Sequence, residues 1–511
     1  MPMRAVWRPP WYAWVLTGLT ALLLTYKVAP DRFSGRWTIL TPILVVAGVA
    51  GIRKLWEVNP AITACAAIVL TVFSGAWRQV GLGGLPFNRL LVVIVLLQIL
   101  LRAPGTAHTP RVQLRNVHLL MGLAIVYVLA SAALAGTLTT ENGYLTVVDM
   151  FGVAPFLMFM VTPVIFSGRR ERDILLATLV GLGAYLGLTA IFESLGPHGL
   201  IFPRYIARVD VELPGGRAGG PFQSSVDEGF ATYACAVAAA MAFTQWHDRR
   251  KRWFAAIVAV VCTVGCFVTL ERGVWIAAVA ATIVAALTTR AGRRWLVPGA
   301  GLCAVVIAGA LAFSPSLANK TSARTGAELS VWSRQNQTNA GLRMVAAKPL
   351  FGFGWDSYTT HSLEYFRQAS TYPQVGYVLD EAIIAGHTPP LPLHDTYLSI
   401  AVELGLIGGL LWLASLLWGV GEGIFRRRST DLRPWKRGLL AIAVFYLVVA
   451  LFDPREQAFP LMLLWCWAGV AFGSEPLSAQ ARRAKSAFRP NGSILGIGRT
   501  TSDLVLGESR Q

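Results

Sequence analysis

The chain has 511 residues, of which 54% are hydrophobic and only 14% are charged. This composition excludes an ordinary soluble protein and indicates an integral membrane protein. The formal charge of +18 is explained by basic residues that stay on the cytoplasmic side of a membrane and are attracted to anionic headgroups, so nucleic-acid binding is not favoured.

Apolar stretches recur along most of the chain. A membrane-crossing helix needs about 17–25 mainly apolar residues, and about fourteen stretches approach this length. We therefore predict an all-α polytopic membrane domain over residues 1–473. The predicted spans are 11–29, 37–52, 58–75, 86–101, 117–136, 145–166, 174–195, 229–246, 253–270, 273–289, 295–313, 394–421, 437–452 and 457–473.

Basic residues near the ends of the spans set the predicted orientation, because they stay in the cytoplasm. With Met1 inside, the clusters at 249–252 and 426–428 are both cytoplasmic. An even number of spans returns the polar, basic segment 474–511 to the same side, where we predict a disordered tail. Both termini are therefore expected to be cytoplasmic.

Two predicted outer segments, 196–228 and 314–393, are too long to be simple turns. Within the second, residues 327–348 can form an amphipathic helix, and the sequence PLFGFG at 349–354 indicates a tight turn. The six cysteines all fall in predicted spans. Cys262 and Cys266 share a helix face, and their setting favours buried small residues over a metal pair or a disulfide.

Arg272 is the first candidate site residue. It lies in the sequence LERGVW at 270–275, which joins two predicted spans with almost no loop, so two helices would hold it at the outer membrane boundary. The planar guanidinium suits phosphate oxygens. The alternative is an interfacial arginine that extends toward water, with Glu271 as its salt-bridge partner.

Arg343 and His394 are the next candidates, at the helical part and at the end of the long outer segment. A histidine at an apolar–aqueous boundary titrates near working pH and can accept a proton from a sugar hydroxyl. The alternative is a histidine that only forms hydrogen bonds at a helix end, capped by Asp395 or Thr396. Glu403 is predicted on the other side of that helix, in a close packing site rich in glycine.

Several motifs occur in a characteristic order. Glu271-Arg-Gly273 is followed by Arg343, by Pro349-Leu-Phe-Gly-Phe-Gly354, and by His394-Asp-Thr-Tyr-Leu398 running into Glu403-Leu-Gly405. Over about residues 215–420 this pattern resembles the O-antigen ligase/polymerase superfamily. Asp395 stands where the family often has Asn, and Glu271 where it often has Ser, and both departures bear on the geometry of the acceptor.

This resemblance implies a metal-independent, cofactor-free glycosyltransferase at the outer face of the bacterial inner membrane. The donor would be a glycan linked through diphosphate to a polyprenol, in particular undecaprenol, and the acceptor a glycan or glycolipid. Arg272 and Arg343 would hold the diphosphate, and His394 would activate or position the acceptor hydroxyl. Arg217, in Gly215-Gly-Arg-Ala-Gly-Gly-Pro-Phe222, matches a basic glycine-rich feature more loosely and would contact donor or glycan.

The chemistry is self-consistent without a metal. Two fixed guanidinium groups can stabilise the negative charge that develops on the departing diphosphate. Attack by a hydroxyl near His394 from the opposite face would invert the anomeric carbon. The outer acidic residues show no recognisable metal-ligand spacing; they are Asp210, Glu212, Asp227, Asp380 and Glu381.

Other functions remain open from the sequence. Polymerase and ligase share the donor chemistry and differ in the acceptor; we slightly favour a polymerase because a ligase needs a particular envelope. A lipid-linked oligosaccharide flippase or another transporter also fits fourteen spans, with Asp149 and Glu193 as its best features, although no internal repeat is evident. A polyprenyl-phosphate sugar transferase of another fold is a further alternative; such enzymes commonly have acidic residues in the first outer loop, where this chain has only Asp31.

Overall fold

The computed structural model describes residues 58–73, 87–100, 114–139, 147, 152–207, 216–325, 329–369, 392–426, 431–452 and 458–473. These ranges contain α-helices and short 3-10 helices and no β-strand, which confirms the predicted all-α class for the described part of the chain. The predicted spans at 11–29 and 37–52 and the predicted tail at 474–511 lie outside it.

The α-helices of the described residues occupy each of the other twelve predicted spans and part of the long outer segment. In chain order they are α1 (Pro60–Val72), α2 (Phe87–Leu100), α3 (Asn116–Leu134), α4 (Val153–Ile165), α5 (Arg169–Leu195), α6 (Ser225–Gln245), α7 (Arg249–Val268), α8 (Arg272–Leu287), α9 (Arg290–Phe313), α10 (Pro315–Thr325), α11 (Leu329–Ala347), α12 (Tyr358–Ala369), α13 (Thr396–Phe425), α14 (Arg433–Val449) and α15 (Phe459–Phe472).

Five of these helices are long and apolar enough to cross a membrane by length and composition: α3, α5, α6, α7 and α13. Several of the other apolar helices are shorter than a full crossing. The helices therefore have the composition of a membrane protein, and the total of about fourteen spans stays a prediction. The long outer segment contains α10, α11 and α12, and the predicted helix at 327–348 is confirmed as α11.

The helix ends follow local side-chain chemistry. The Asp248 side chain accepts a hydrogen bond of 2.8 Å from the backbone N–H of Arg250 at the start of α7, which satisfies one of the free donors of a helix N-terminus. At the other end of the bundle, α5 stops at Gly196, whose φ of 112° is left-handed. Glycine adopts this conformation without the clash that a Cβ would cause.

Helices α5 and α7 pack closely through glycine. A Cβ on Gly265 would lie 2.9 Å from the Cα of Gly187, and one on Gly187 would lie 3.0 Å from the backbone of Val261. Small residues allow such close approach between membrane helices. Next to this crossing, the Cys262 thiol donates to the Gly183 carbonyl at 3.2 Å.

The cysteines take no part in disulfides. All six are free, and five of them, including Cys262 and Cys266, are buried as predicted, whereas Cys303 is exposed. The pair in α7 therefore packs as small buried residues in this structure.

Helix α13 is broken at Gly405, whose φ of 68° and ψ of −177° belong to a region that essentially only glycine adopts. Tyr397 and Trp412 are fifteen residues apart, or about 22 Å along a straight helix, yet their ring centroids are 5.8 Å apart. The single span predicted at 394–421 is therefore two arms, 396–404 and 406–425, that bend sharply against each other.

Helix ends that the sequence assigns to the cytoplasm meet at one end of the bundle. The guanidinium groups of Arg115 and Arg426 lie 5.3 and 4.6 Å from the ring centre of Phe472. Arg172, in the first turn of α5, forms an ion pair with Asp431, just before α14. The candidate site lies at the other end of the bundle, where α7 ends and α8 begins.

Candidate functional site

The hairpin between α7 and α8 is as short as predicted. Only Thr269, Leu270 and Glu271 join the two helices. Leu270 is fully buried and has a φ of 51°, a conformation that is unusual for a residue other than glycine. The packing of this turn thereby fixes the position of Glu271 and of Arg272, the first residue of α8.

Glu271 holds two arginines from distant parts of the chain. Its Oε2 accepts a hydrogen bond of 2.9 Å from Nη1 of Arg217, and its Oε1 lies 3.3 Å from Nη2 of Arg334. The glutamate is only 3% exposed, while both arginines are half-buried. One carboxylate therefore orients two guanidinium groups that come from distant segments of the chain.

His394 is held from the side of α11. Its Nδ1 lies 2.8 Å from Oε1 of Gln337, whose side chain is 1% exposed. An amide oxygen only accepts hydrogen bonds, so the ring donates to Gln337 in the tautomer that carries its proton on Nδ1, and in that tautomer the lone pair lies on Nε2.

The backbone after His394 is fixed at two points. The carboxylate of Asp395 accepts a hydrogen bond of 3.0 Å from the N–H of Leu398, as the capping prediction required. The N–H of Thr396 donates to the carbonyl of Ala450, at 2.8 Å, at the end of α14. The histidine therefore stands on a capped helix end that is anchored to a neighbouring helix.

The two groups of residues form one cluster. Arg334 and Gln337 are three residues apart on α11, a spacing that places side chains on the same face of a helix. The charges of Arg334, Glu271 and Arg217 all act on the His394 ring. Glu271, Arg217, Arg334, Gln337 and His394 are referred to below as the outer cluster.

The outer cluster keeps His394 neutral. Burial lowers the pKa of the ring to about 4, and the positive charge of Arg334 acts in the same direction. Glu271 and the Pro392 carbonyl act in the opposite direction but do not offset these effects. Burial also raises the pKa of Asp395 above its ordinary value. At neutral pH the His394 ring is therefore uncharged.

The structure brings together some of the predicted site residues. Arg217 and His394 are members of the outer cluster. Arg272 follows Glu271 directly and is half-buried. Arg343 is also half-buried but lies nine residues beyond Arg334 on α11, which corresponds to about 13 Å along the axis and about half a turn around it. The predicted cavity shared by Arg272, Arg343 and His394 stays a prediction.

Two members of the outer cluster, Arg334 and Gln337, were not singled out from the sequence. The available signal was the polar run SRQNQTN at 333–339, inside a helix of the outer segment. This run is polar on every side of the helix, whereas a helix that packs on the protein with one face needs polar residues only on the other. The pairing itself depends on the tertiary position of Glu271 and His394.

Glu193 has a structural role in the neighbouring glycine-rich loop. Its carboxylate accepts hydrogen bonds of 2.9–3.2 Å from the N–H groups of Gly219 and Gly220. These bonds hold the loop that carries Arg217. Asp149, the other acid considered for a transporter, lies outside the described residues.

Among the described residues, no group of three or more His, Cys, Asp or Glu side chains is arranged to hold a metal ion. Asp210, Glu212, Asp380 and Glu381 lie outside that part of the chain.

These features define a class of protein: a helical membrane protein with a basic, half-buried cluster at one end of its bundle. Residues 257–413 match the family model described as O-antigen ligase. The chain therefore carries a domain of the O-antigen ligase/polymerase superfamily, which confirms the resemblance of its motifs. The match covers 157 of the 511 residues and includes the outer cluster except Arg217. No curated protein matches the chain.

This domain, together with the candidate spans, indicates a bacterial membrane protein with a function of the O-antigen ligase type.

Proposed function

We propose that the protein is a glycosyltransferase of the bacterial inner membrane. It moves a glycan from a polyprenyl diphosphate donor, in particular undecaprenyl diphosphate, to a sugar hydroxyl at the outer leaflet. The reaction serves polysaccharide polymerisation or O-antigen-type ligation. The observation that carries this proposal is the position of a neutral histidine beside two arginines that share one buried carboxylate.

The charge of the site matches the donor. Arg217 and Arg334 contribute two positive charges and Glu271 one negative charge, so the outer cluster carries a formal charge of +1 with an uncharged histidine. Arg272, which the family resemblance assigns to the same site, adds one more positive charge. A diphosphate that links a sugar to a lipid carries two negative charges. Fixed guanidinium groups in a half-buried site stabilise such charge more strongly than water-exposed ones.

His394 is proposed to accept the proton of the acceptor hydroxyl. In the tautomer that donates from Nδ1–H to Gln337, the lone pair on Nε2 takes this proton. As the hydroxyl oxygen forms its bond to the anomeric carbon, its proton passes to Nε2 and the bond to the diphosphate breaks. Attack on the face opposite the leaving group inverts the anomeric carbon, without a metal ion.

The arginines are proposed to hold the leaving diphosphate. Arg272 and Arg343 have this role from the family resemblance, and Arg217 a looser one as donor or glycan contact. Arg334 joins them because it lies in the outer cluster and shares Glu271 with Arg217. The planar fork of each guanidinium can bind two phosphate oxygens at once.

Purified protein in nanodiscs, supplied with an undecaprenyl-diphosphate oligosaccharide and defined acceptors, tests this function. Formation of a new glycosidic bond with release of undecaprenyl diphosphate supports it. A growing repeat-unit chain as acceptor identifies a polymerase, and a lipid core or protein acceptor identifies a ligase.

The same donor in proteoliposomes distinguishes a transporter. Movement of the donor between leaflets with no transfer to any acceptor would contradict the enzyme and support a flippase.

A further inference from the structure

The segment 349–354 between α11 and α12 fits into the break in α13. Its backbone pairs with residues on both sides of Gly405 through four hydrogen bonds. They run from Phe353 N–H to the Val402 carbonyl (2.9 Å), from Gly354 N–H to the Glu403 carbonyl (2.8 Å), from Leu406 N–H to the Pro349 carbonyl (2.8 Å) and from Ile407 N–H to the Leu350 carbonyl (3.3 Å). Backbone groups exposed by a broken membrane helix are thereby satisfied.

Two glycines permit this close approach. A Cβ on Gly405 would lie 2.2 Å from the carbonyl oxygen of Leu350, and a Cβ on Gly352 would lie 2.5 Å from the backbone of Glu403. Both glycines also have left-handed φ angles, of 68° and 70°. The loop is therefore held against α13 by backbone contacts that larger residues cannot make.

The loop lies one bilayer thickness from the predicted cytoplasmic end of the bundle. From Arg115, at the Phe472 ring, α3 rises about 30 Å to Ala135, which lies directly against Gly354. From Arg426, beside the same ring, the arm 406–425 rises about 32 Å to Gly405. The hydrocarbon core of a bilayer is about 30 Å thick, so the loop coincides with its opposite edge.

The outward side of the loop is apolar. Leu350 is 55% exposed and Phe351 is 66% exposed, which is comparable with Leu410 of the spanning arm at 66%. Lys348 precedes them, and its Nζ lies 4.5 Å from the ring centre of Phe353. An exposed lysine beside apolar side chains is the arrangement of a segment at the boundary between headgroups and acyl chains.

We propose that residues 348–354 form a membrane anchor, in which Leu350 and Phe351 insert between acyl chains of the outer leaflet and Lys348 lies among the headgroup phosphates. Bilayer lipid is the partner because the exposed side chains continue the apolar surface of Leu406, Ile407 and Leu410 on the spanning arm. The anchor lies at the C-terminal end of α11, so it sets the height of Arg334 and Gln337 above the bilayer.

Spin labels measure this insertion directly. In a Cys303→Ser background, which removes the exposed cysteine, Phe351→Cys and Leu350→Cys are labelled with a nitroxide in phosphatidylethanolamine/phosphatidylglycerol vesicles. Asn339→Cys, on the exposed polar side of α11, serves as the aqueous reference, and Leu410→Cys as the lipid reference.

The expected result is a gain in collisions with oxygen and a loss of collisions with a water-soluble nickel chelate at 350 and 351, relative to 339 and similar to 410. Values like those of 339 would overturn the anchor. Labels shielded from both reagents would also overturn it, because protein and not lipid would then cover the loop. Neither outcome depends on the proposed glycosyltransferase activity.

Discussion

At the scale of single residues, His394 is in an environment that makes it neutral but a weak base. Burial and the positive charge of Arg334 lower its pKa to about 4, whereas an efficient general base has a pKa near the working pH. The anionic donor would place negative charge beside the arginines and so raise the pKa of the ring. In the proposed reaction, donor binding would in this way make His394 a stronger base for the acceptor hydroxyl.

His394→Ala is expected to lower transfer by about 10²- to 10⁴-fold, the usual contribution of general-base catalysis, with donor binding largely intact. His198→Ala is the matched control, because His198 is an exposed histidine in the outer segment 196–228. The measurements are turnover and equilibrium binding of the lipid-linked donor. A normally expressed His394→Ala protein with the parental rate would rule out a catalytic role for this residue.

The pH dependence of the reaction should differ between free and donor-bound enzyme. The acid limb of kcat/KM reports the free enzyme and is expected below pH 6, since the pKa of His394 is about 4 and not the ordinary value of about 6.5. The acid limb of kcat should lie at higher pH, because the bound diphosphate offsets the positive charges that lower this pKa.

Gln337→Glu gives a second measurement of the same group. A carboxylate beside Nδ1–H favours the charged ring, so the acid limb of kcat/KM should move to higher pH. Gln337→Leu should keep the limb low and reduce kcat by about tenfold or more, because an orphaned buried donor costs about 1–3 kcal/mol. Identical pH profiles in all three proteins would contradict the role of Gln337 in orienting the histidine.

Arg→Lys substitution separates the effect of guanidinium geometry from the effect of charge. Lysine keeps the charge and loses the planar fork, so lysine at Arg272, Arg334 or Arg343 should reduce turnover, and alanine should weaken donor binding as well. Arg204→Lys, at an exposed outer position, should have no effect. If Arg343→Lys is the one lysine variant with full activity, Arg343 does not bind the diphosphate, and the proposal for the outer cluster still holds.

At the scale of elements, the break in α13 decides where the site residues lie. The arm 396–404 begins next to His394 and packs beside α11. A Cβ on Gly341 of α11 would contact the side chains of Leu393 and Leu398. The arm 406–425 has twenty residues, about the length that crosses the hydrocarbon core. A straight helix would move His394 away from α14 and from the other members of the outer cluster.

Gly405→Ala is therefore expected to destabilise the protein by about 2 kcal/mol or more, since the conformation alone costs about 1–3 kcal/mol for a residue with a Cβ and the Cβ would also meet the Leu350 carbonyl. Gly409→Ala, where the nearest atom is 4.0 Å away, is the matched control and should be neutral or stabilising. Thermal unfolding in detergent measures both. Equal unfolding temperatures would contradict the role of Gly405.

At the scale of the whole molecule, the ends of the helices are sorted into two groups. Arg115, Arg172 and Arg426 meet at one end, and Arg217, Glu271 and His394 at the other. The rule that Lys and Arg near span ends stay in the cytoplasm assigns the first end to the cytoplasmic side. Which end faces the cytoplasm stays a prediction.

Reporter fusions test this topology. A fusion at Ser330 should report the outer side, and fusions at the C-terminus and within 427–430 should report the cytoplasm, because the basic residues resist translocation. A fusion after Ser167 is a useful internal control, since it precedes the basic start of α5. Reporters at Ser330 and the C-terminus on the same side would contradict the predicted arrangement.

Hydropathy and short motifs were sufficient for part of this picture. The apolar stretches predicted the helices, Asp395 predicted the cap of α13, and the brevity of 270–275 predicted a tight hairpin. Arg217, Arg272 and His394 were predicted as site residues because guanidinium and imidazole groups at the outer face suit an anionic substrate, and their roles stay predictions. These properties are local, so each can be read from a few neighbouring residues.

Tertiary structure decided the rest, because the remaining features depend on contacts between distant segments. The pairing of Glu271 with Arg217 and Arg334 joins three segments, and Gln337 becomes the partner of His394 only when α11 packs beside the arm 396–404. The bend at Gly405 requires the loop at 349–354, which satisfies the broken backbone. Periodicity describes one helix at a time and contains no information on which helices meet.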